Sequence, residues 1–304
     1  MASDAPDRAA STQAASPKPG TLRTLGDIGD AIIVRHTLFS LPFAVIAALL
    51  ETGGRPPLDK LALALAAAVA ARSAANAMNR VIDADIDARN PRTADRHVPA
   101  GRLSRRSLVL FAALMGLVVA AAAALLNPLC FFLVPVAAFL VLGYSYAKRV
   151  TWLCHWWLGV ACAAAPMGTF LAFTGRFELR YFALAGAVAL WVAGFDVLYA
   201  LQDIEVDREQ GLHSAPARFG VKGARILSAL SHAGTVAGLA ILPAFWPLSW
   251  AYAIGVAAAA VLLVAEHVVA SGGTERHIRI ASYSINEVLP VVVLAFAALD
   301  IYLL

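Results

Sequence analysis

Two short acidic segments hold the residues of this chain that are best suited to chemistry. In the first, Asn79, Asp83 and Asp87 stand four residues apart, preceded by Arg72 and Asn76. In the second, Asp203 and Asp207 repeat that spacing, preceded by Asp196 and Tyr199. At about 100° per residue, a helix running through Asp87 places Arg72, Asn76, Asn79, Asp83 and Asp87 within about 80° of one another, with Asp85 roughly opposite. The same arithmetic gathers Asp196, Tyr199, Asp203 and Asp207 on one stripe and turns Glu205 away. A single DxxxD is more often a solvated helix end whose acids balance nearby arginines. Two copies, each continued by further polar groups along the same stripe, argue for a site. Acids facing one cavity repel unless cations stand between them. Carboxylate and amide oxygens are hard ligands that suit Mg²⁺, an ion that keeps several waters and is usually bound together with substrate phosphates. Asn79, Asp83, Asp87, Asp203 and Asp207 are therefore the candidate metal ligands.

The elements that must position these residues are membrane helices. The chain is 60% hydrophobic and 14% charged, with a mean hydropathy of +0.72; soluble domains are roughly 45–50% apolar and about 25% charged. That balance excludes an ordinary soluble enzyme, a disordered chain, a disulfide scaffold and a nucleic-acid binder. Cys130, Cys154 and Cys162 form no CxxC and sit in apolar surroundings, as small buried hydrophobes do. Residues 107–147 contain no Asp, Glu, Lys or Arg and are broken by Asn127-Pro128, which reads as two helices and a tight turn. Similar reasoning predicts nine helices in all, near 30–50, 61–79, 107–126, 129–147, 152–173, 181–201, 222–243, 247–269 and 282–304. The fold class is an all-α polytopic membrane protein. Residues 1–24 are expected to form a disordered tail, rich in Ala, Ser and Pro, without the apolar core of a signal peptide; Asp4 and Asp7 argue against a transit peptide. Residues 25–304 then form a single transmembrane domain.

Basic residues set the orientation. With the N-terminus in the cytoplasm, 19 of the 24 Lys and Arg residues fall in cytoplasmic segments, and only Arg55, Lys60, Arg176 and Arg180 fall outside. Both acidic segments then emerge on the cytoplasmic side. The two motifs lie 120 residues and four helices apart. That spacing predicts a parallel repeat of helices one to four and five to eight, plus a ninth. An ion-coupled transporter remains a rival at this point, although transporters tend to place their polar groups near the midplane on interrupted helices. An alcohol phosphotransferase of lipid synthesis would carry a DGxxAR-type signature, which is absent.

At these residues the chain resembles the UbiA superfamily of intramembrane prenyltransferases. Its NxxxDxxxD motif is matched by Asn79, Asp83 and Asp87, its tyrosine-preceded DxxxD by Tyr199, Asp203 and Asp207, and its YxxxK element by Tyr144 and Lys148. The runs from Val34 to Phe43 and from Tyr199 to Ser214 are similar to the 4-hydroxybenzoate polyprenyltransferase-like branch, which includes enzymes of the futalosine route to menaquinone. Arg80, His97 and His213 depart from the commoner pattern, which leaves the aromatic acceptor open but not the reaction class.

The resemblance implies Mg²⁺-dependent transfer of a polyprenyl group from its diphosphate to an aromatic acid, at the cytoplasmic face of a bacterial inner membrane. The acid would be 4-hydroxybenzoate or 1,4-dihydroxy-6-naphthoate. Membrane lipid is the surrounding partner, and neither nucleic acid nor an obligate protein partner is implied. Asp83, Asp203 and Tyr199 would be catalytic, Tyr199 by stabilising an allylic cation with its ring. Arg72, Asn76, Tyr144, Lys148 and Arg149 would bind substrate: Lys148 and Arg149 at the diphosphate, Arg72 at the diphosphate or a substrate carboxylate. For Arg72, a purely structural bond to Asn76 is the plainer alternative. His36 near the interface is as well explained by a structural bond as by substrate contact, and His155, His232 and His267 share no metal-ligand spacing and read as structural.

Overall fold

The structure, a computed structural model, describes residues 41–303, which are helical with no strand among them. The N-terminal tail, His36 and the first part of the helix expected near 30–50 lie outside the described residues. The order is α1 (Leu41–Thr52), α2 (Leu58–Ile82), a short α3 (Ala84–Asp87), α4 (Arg105–Leu126), α5 (Pro128–Phe132), α6 (Val134–Ala147), α7 (Cys154–Thr174) and α8 (Tyr181–Tyr199). Then come α9 (Ile204–Glu209), α10 (Ala215–Ala240), α11 (Trp250–Ala270), α12 (Glu275–Arg279) and α13 (Asn286–Leu303). Among the described residues, seven helical segments are long and apolar enough to cross a membrane, and α1 and α6 are shorter apolar helices. Leu110, Leu114 and Leu117 on α4 and Val261, Val264 and Val268 on α11 form exposed apolar faces at helical spacing. Such faces are stable only against hydrocarbon, and the chain is a multi-pass membrane protein.

Local chemistry sets the helix boundaries. Ser104, Asn127, Ser214 and Thr274 cap α4, α5, α10 and α12 by accepting a backbone N–H three residues on. Asn127 also donates to Leu171 O at 2.9 Å, tying the turn to α7. The helix expected over 129–147 is in two pieces that meet at Leu133, where Pro135, in the first turn of α6, has no N–H to give to the preceding turn. The helix expected from 222 begins earlier, at Ala215, and is kinked at Gly220, whose φ of +68° a side chain would strain. The last helix is preceded by α12 and a π-helical turn, Ile280–Ile285.

Trp191, Phe43, Tyr181, Phe170 and Trp246 form the centre of the largest core cluster, with Phe170 and Tyr181 stacked at 4.3 Å. The backbones of α7 and α8 approach closely: a Cβ on Gly159 would meet Ala189 O at 2.1 Å. Only glycine permits that approach, and close approach is what holds helices together where lipid and side chains are equally apolar. It sets the first turn of α7 against the last turns of α8. The π turn is fixed from behind by buried Asn286, which donates to Glu266 Oε1 at 3.0 Å and Ala281 O at 3.1 Å and accepts from Trp191 Nε1 at 2.6 Å.

Candidate active site

Both acidic motifs bend at their first aspartate. Asp83 ends α2 with φ −90°, ψ 1°, and Asp203 ends a 3₁₀ turn after α8 with φ −109°, ψ 7°. The uninterrupted helix that the stripe assumed is therefore absent in both places. The conformation is the sparsely populated bridge region that active-site residues often occupy. Past each bend a short helix carries the second aspartate back over the cavity, so Asp83, Asp87, Asp203 and Asp207 all line one polar cavity of about 270 Å³. Asp85 and Glu205 point away into solvent; Asp85 pairs there with Arg105.

The charges at this rim are balanced by the chain itself. Asp203 receives Arg92 Nε at 3.0 Å, Arg92 Nη2 at 2.6 Å and Asn90 Nδ2 at 2.9 Å. Arg92 Nη1 also donates to Tyr199 Oη at 2.7 Å. Burial alone would lower the Arg92 pKa; its bonds to Asp203 and the neighbouring Tyr199 outweigh this and raise it. Asp87 receives Arg96 at 2.7 and 2.8 Å. Asp83 receives Lys148 Nζ at 3.1 Å, Arg149 Nη2 at 3.0 Å and Asn79 Nδ2 at 2.8 Å. Among the described residues no three His, Cys, Asp or Glu side chains close around a common point. The cations separating the two acidic stripes are thus arginines and a lysine. As a donor set, four carboxylates and the Asn79 carboxamide around one cavity still match the hard-oxygen chemistry of Mg²⁺.

Below the rim the cavity becomes less charged. Arg72, Asn76, Tyr144, His155, Leu158, Phe195 and Asp196 line it. Asn76 and Asp196 each precede their bend by seven residues, about 10 Å along a helix. A second cavity of about 450 Å³, walled almost wholly by Ala, Val, Leu, Met and Phe from α2, α4, α6, α7 and α8, shares Arg72 and Tyr144 with the first. Arg72 donates to Cys162 Sγ at 3.3 Å at that junction; the bond is interhelical, to α7.

The structure thus brings Arg72, Asn76, Asn79, Asp83, Asp87, Tyr144, Lys148, Tyr199, Asp203 and Asp207 to one cavity. Arg149, expected at the diphosphate, lies outside its lining. Its guanidinium donates to Ser145 O, Ile82 O and Asp83 Oδ1 at 2.7–3.0 Å, which holds Asp83 from behind. Sequence reasoning missed Arg92, Arg96, Ser282, Tyr283 and the pairing of buried His155 with Asp196, all at the cavity. Only Asp196 had left a signal, by sharing the stripe of Asp203.

A model of the UbiA prenyltransferase family matches residues 40–286. The chain belongs to that family. It is a UbiA-type prenyltransferase. It is 34% identical over 225 residues to the 4-hydroxybenzoate octaprenyltransferase of Methylococcus capsulatus, covering 73% of this chain and 76% of that one. Against the enzyme of the same name from Shewanella sediminis, identity is 30%, covering 71% and 73%. Among solved structures, a UbiA homologue from Aeropyrum pernix superposes with a TM-score of 0.80 at 34% identity, over 88% of this chain and 98% of that one. A UbiA homologue from Archaeoglobus fulgidus, bound to GPP and Mg²⁺, shares the fold with a TM-score of 0.61 at 18% identity, covering 89% and 99%.

Proposed function

We propose that this enzyme transfers a polyprenyl group from polyprenyl diphosphate to the ring of an aromatic acid, 4-hydroxybenzoate or 1,4-dihydroxy-6-naphthoate, with Mg²⁺, in ubiquinone or menaquinone biosynthesis. The observation that carries the reading is the junction of two unlike cavities at Arg72 and Tyr144. One is rimmed by acids and cations, as a metal-bound diphosphate requires, and the other is apolar, as a prenyl tail requires. The names of the curated relatives and the GPP and Mg²⁺ of the Archaeoglobus homologue support the same reading.

The difficult step is cleavage of an allylic C–O bond to a carbocation and diphosphate. Asn79, Asp83, Asp87, Asp203 and Asp207 would hold the metal, which when bound supplies positive charge against the departing diphosphate. Lys148, Arg92 and Arg96, which pair with these carboxylates, would supply the cations for the diphosphate oxygens. Arg149 and Asn79 keep Asp83 in place. The Tyr199 ring, packed edge-on against Tyr283 at 5.3 Å, faces the developing cation. Phe195 and Leu158 exclude water. Arg72 takes the acceptor's carboxylate and presents its ring to the allylic carbon.

Nine membrane helices with a cytoplasmic N-terminus, arranged as two parallel four-helix repeats plus a ninth, fit this reading, as does an inner-membrane location with the rim facing the cytoplasm. The matching bends at Asp83 and Asp203 support the repeat. Residues 25–304 act as one domain. To test the reaction, the purified protein is incubated with Mg²⁺, a long prenyl diphosphate and each acid in turn, and products are identified by mass spectrometry. A prenylated acid is expected; no prenylated product from either acid would sink the proposed acceptor class.

A further inference from the structure

The Asp196–His155 pair has no place in binding diphosphate or metal, yet it is built into the wall of the cavity. His155 is 4% exposed, and its Nδ1 lies 2.7 Å from Asp196 Oδ2. The backbone N–H of Ala215 donates to His155 Nε2 at 3.3 Å, so that nitrogen is the acceptor and the ring proton sits on Nδ1, aimed at Asp196. From Nδ1 the imidazole donates to Asp196 Oδ2 and so orients the carboxylate. The Asp196 side chain is 27% exposed, and among the described residues no other hydrogen bond or ion pair reaches it. Arg72 acts on it only at longer range. Asp83, Asp87 and Asp203 differ, since each is clamped by a lysine or an arginine. A carboxylate two turns below the rim, within the membrane span, is costly to place and calls for a task.

From this geometry, and resting on the proposed aromatic prenylation, we propose that Asp196 is the base that takes the ring proton of the acceptor, and that His155 is its positioning residue. Attack by the ring carbon on the allylic cation forms the new C–C bond and leaves that carbon tetrahedral, still bearing its hydrogen, with the positive charge on the ring. The C–H bond then breaks, its electron pair restores the aromatic ring, and the proton passes to Asp196 Oδ1. The diphosphate has already left with the C–O electron pair, so charge and atoms balance. Asp196 lies at the level of Arg72, Asn76 and Tyr144, where an acid held by Arg72 would present its ring.

The test compares acceptors bearing hydrogen or deuterium at the ring carbon that is substituted. In the unaltered enzyme C–O cleavage is expected to limit the rate, which gives an isotope effect near unity. Asp196→Asn is expected to lower kcat about 100-fold, with little change in either KM, and to raise the isotope effect above about 2 because proton removal becomes limiting. Asp196→Glu, which keeps a carboxylate at the wrong reach, is expected to show a smaller loss and the same rise, and serves if the asparagine variant does not fold. His155→Gln keeps a donor to Asp196 and an acceptor for Ala215 N–H and is expected to retain most activity, whereas His155→Leu loses it with a raised isotope effect. A lowered rate with an isotope effect still near unity in the Asp196 variants, or a rate within threefold of the unaltered enzyme, would overturn the assignment. If the unaltered enzyme prenylates no aromatic acid, the reading beneath the proposal fails instead, and the inference with it.

Discussion

Arg92 grips Asp203 through both carboxylate oxygens, Nε to Oδ1 at 3.0 Å and Nη2 to Oδ2 at 2.6 Å. The residues are 111 positions apart and belong to different motif loops, so this fork joins the two halves of the rim. A carboxylate so engaged has to exchange its partner before it can bind metal, and the displaced guanidinium is then available to the diphosphate. Arg92→Ala is therefore expected to move two constants in opposite directions. The Mg²⁺ concentration for half-maximal rate falls, while KM for prenyl diphosphate rises about tenfold, the scale of one charge-assisted hydrogen bond of about 1.5–3 kcal/mol. Initial rates over a grid of both concentrations check this; parallel changes would mean that Arg92 serves only to brace Asp203.

The acids themselves should be indispensable. Asp83→Asn and Asp203→Asn preserve shape but remove the charge proposed to hold metal, and each is expected to lower kcat at least 1000-fold, or about 4 kcal/mol in barrier. Folded protein should remain, as judged by size-exclusion chromatography. Chelation should abolish turnover of the unaltered enzyme, and added Mg²⁺ should restore it.

Arg72 is expected to recognise the carboxylate of the acceptor rather than its ring. Arg72→Ala should raise KM for the aromatic acid by about 10–100-fold, from the loss of about 1.5–3 kcal/mol of charge-assisted bonding. The matching phenol lacking the carboxylate should react equally slowly with both proteins. A loss that is the same for acid and phenol would assign Arg72 to the diphosphate or to its bond with Cys162.

The apolar cavity is expected to hold the prenyl tail. A Cβ on Gly168 meets open space there. Gly168→Phe should therefore fill the cavity without disturbing helix packing, and lower kcat/KM for long prenyl diphosphates at least tenfold. Geranyl diphosphate should be used about as well as before. Competition between short and long donors in one reaction reads the ratio directly.

Much of this site was legible in sequence because helical periodicity is local. It separated Asp83 and Asp87 from Asp85, whose side chain is 77% exposed, and it placed Asp196 on the stripe of Asp203. What it missed depended on distant partners or on departures from regular helix. Arg92 and Arg96 in the connector counted only as charges that set topology, since Asp203 lies more than a hundred residues from Arg92. His155 read as structural because its partner, Asp196, is 41 residues away on another helix. The bends at Asp83 and Asp203 and the π turn that presents Tyr283 have no composition of their own. They arise where helix ends meet polar loops over a cavity, so they appear only in the folded chain. The long helices from Arg105, Cys154, Tyr181 and Trp250 were readable within a few residues, because Asn127-Pro128, Gly175 and the stretch from Pro243 to Pro247 punctuate long uncharged runs.

The central claim is that one diphosphate sits between the two aspartate bends with its tail past Arg72. The most direct measurement is a structure of the protein with Mg²⁺ and a non-cleavable prenyl thiodiphosphate. The account predicts metal density bridging the diphosphate to Asp83 and Asp203, Arg92 moved from Asp203 to the diphosphate, and the tail running between Tyr144 and Gly168. A diphosphate bound elsewhere, or an unbroken Arg92–Asp203 pair in the loaded enzyme, would contradict it.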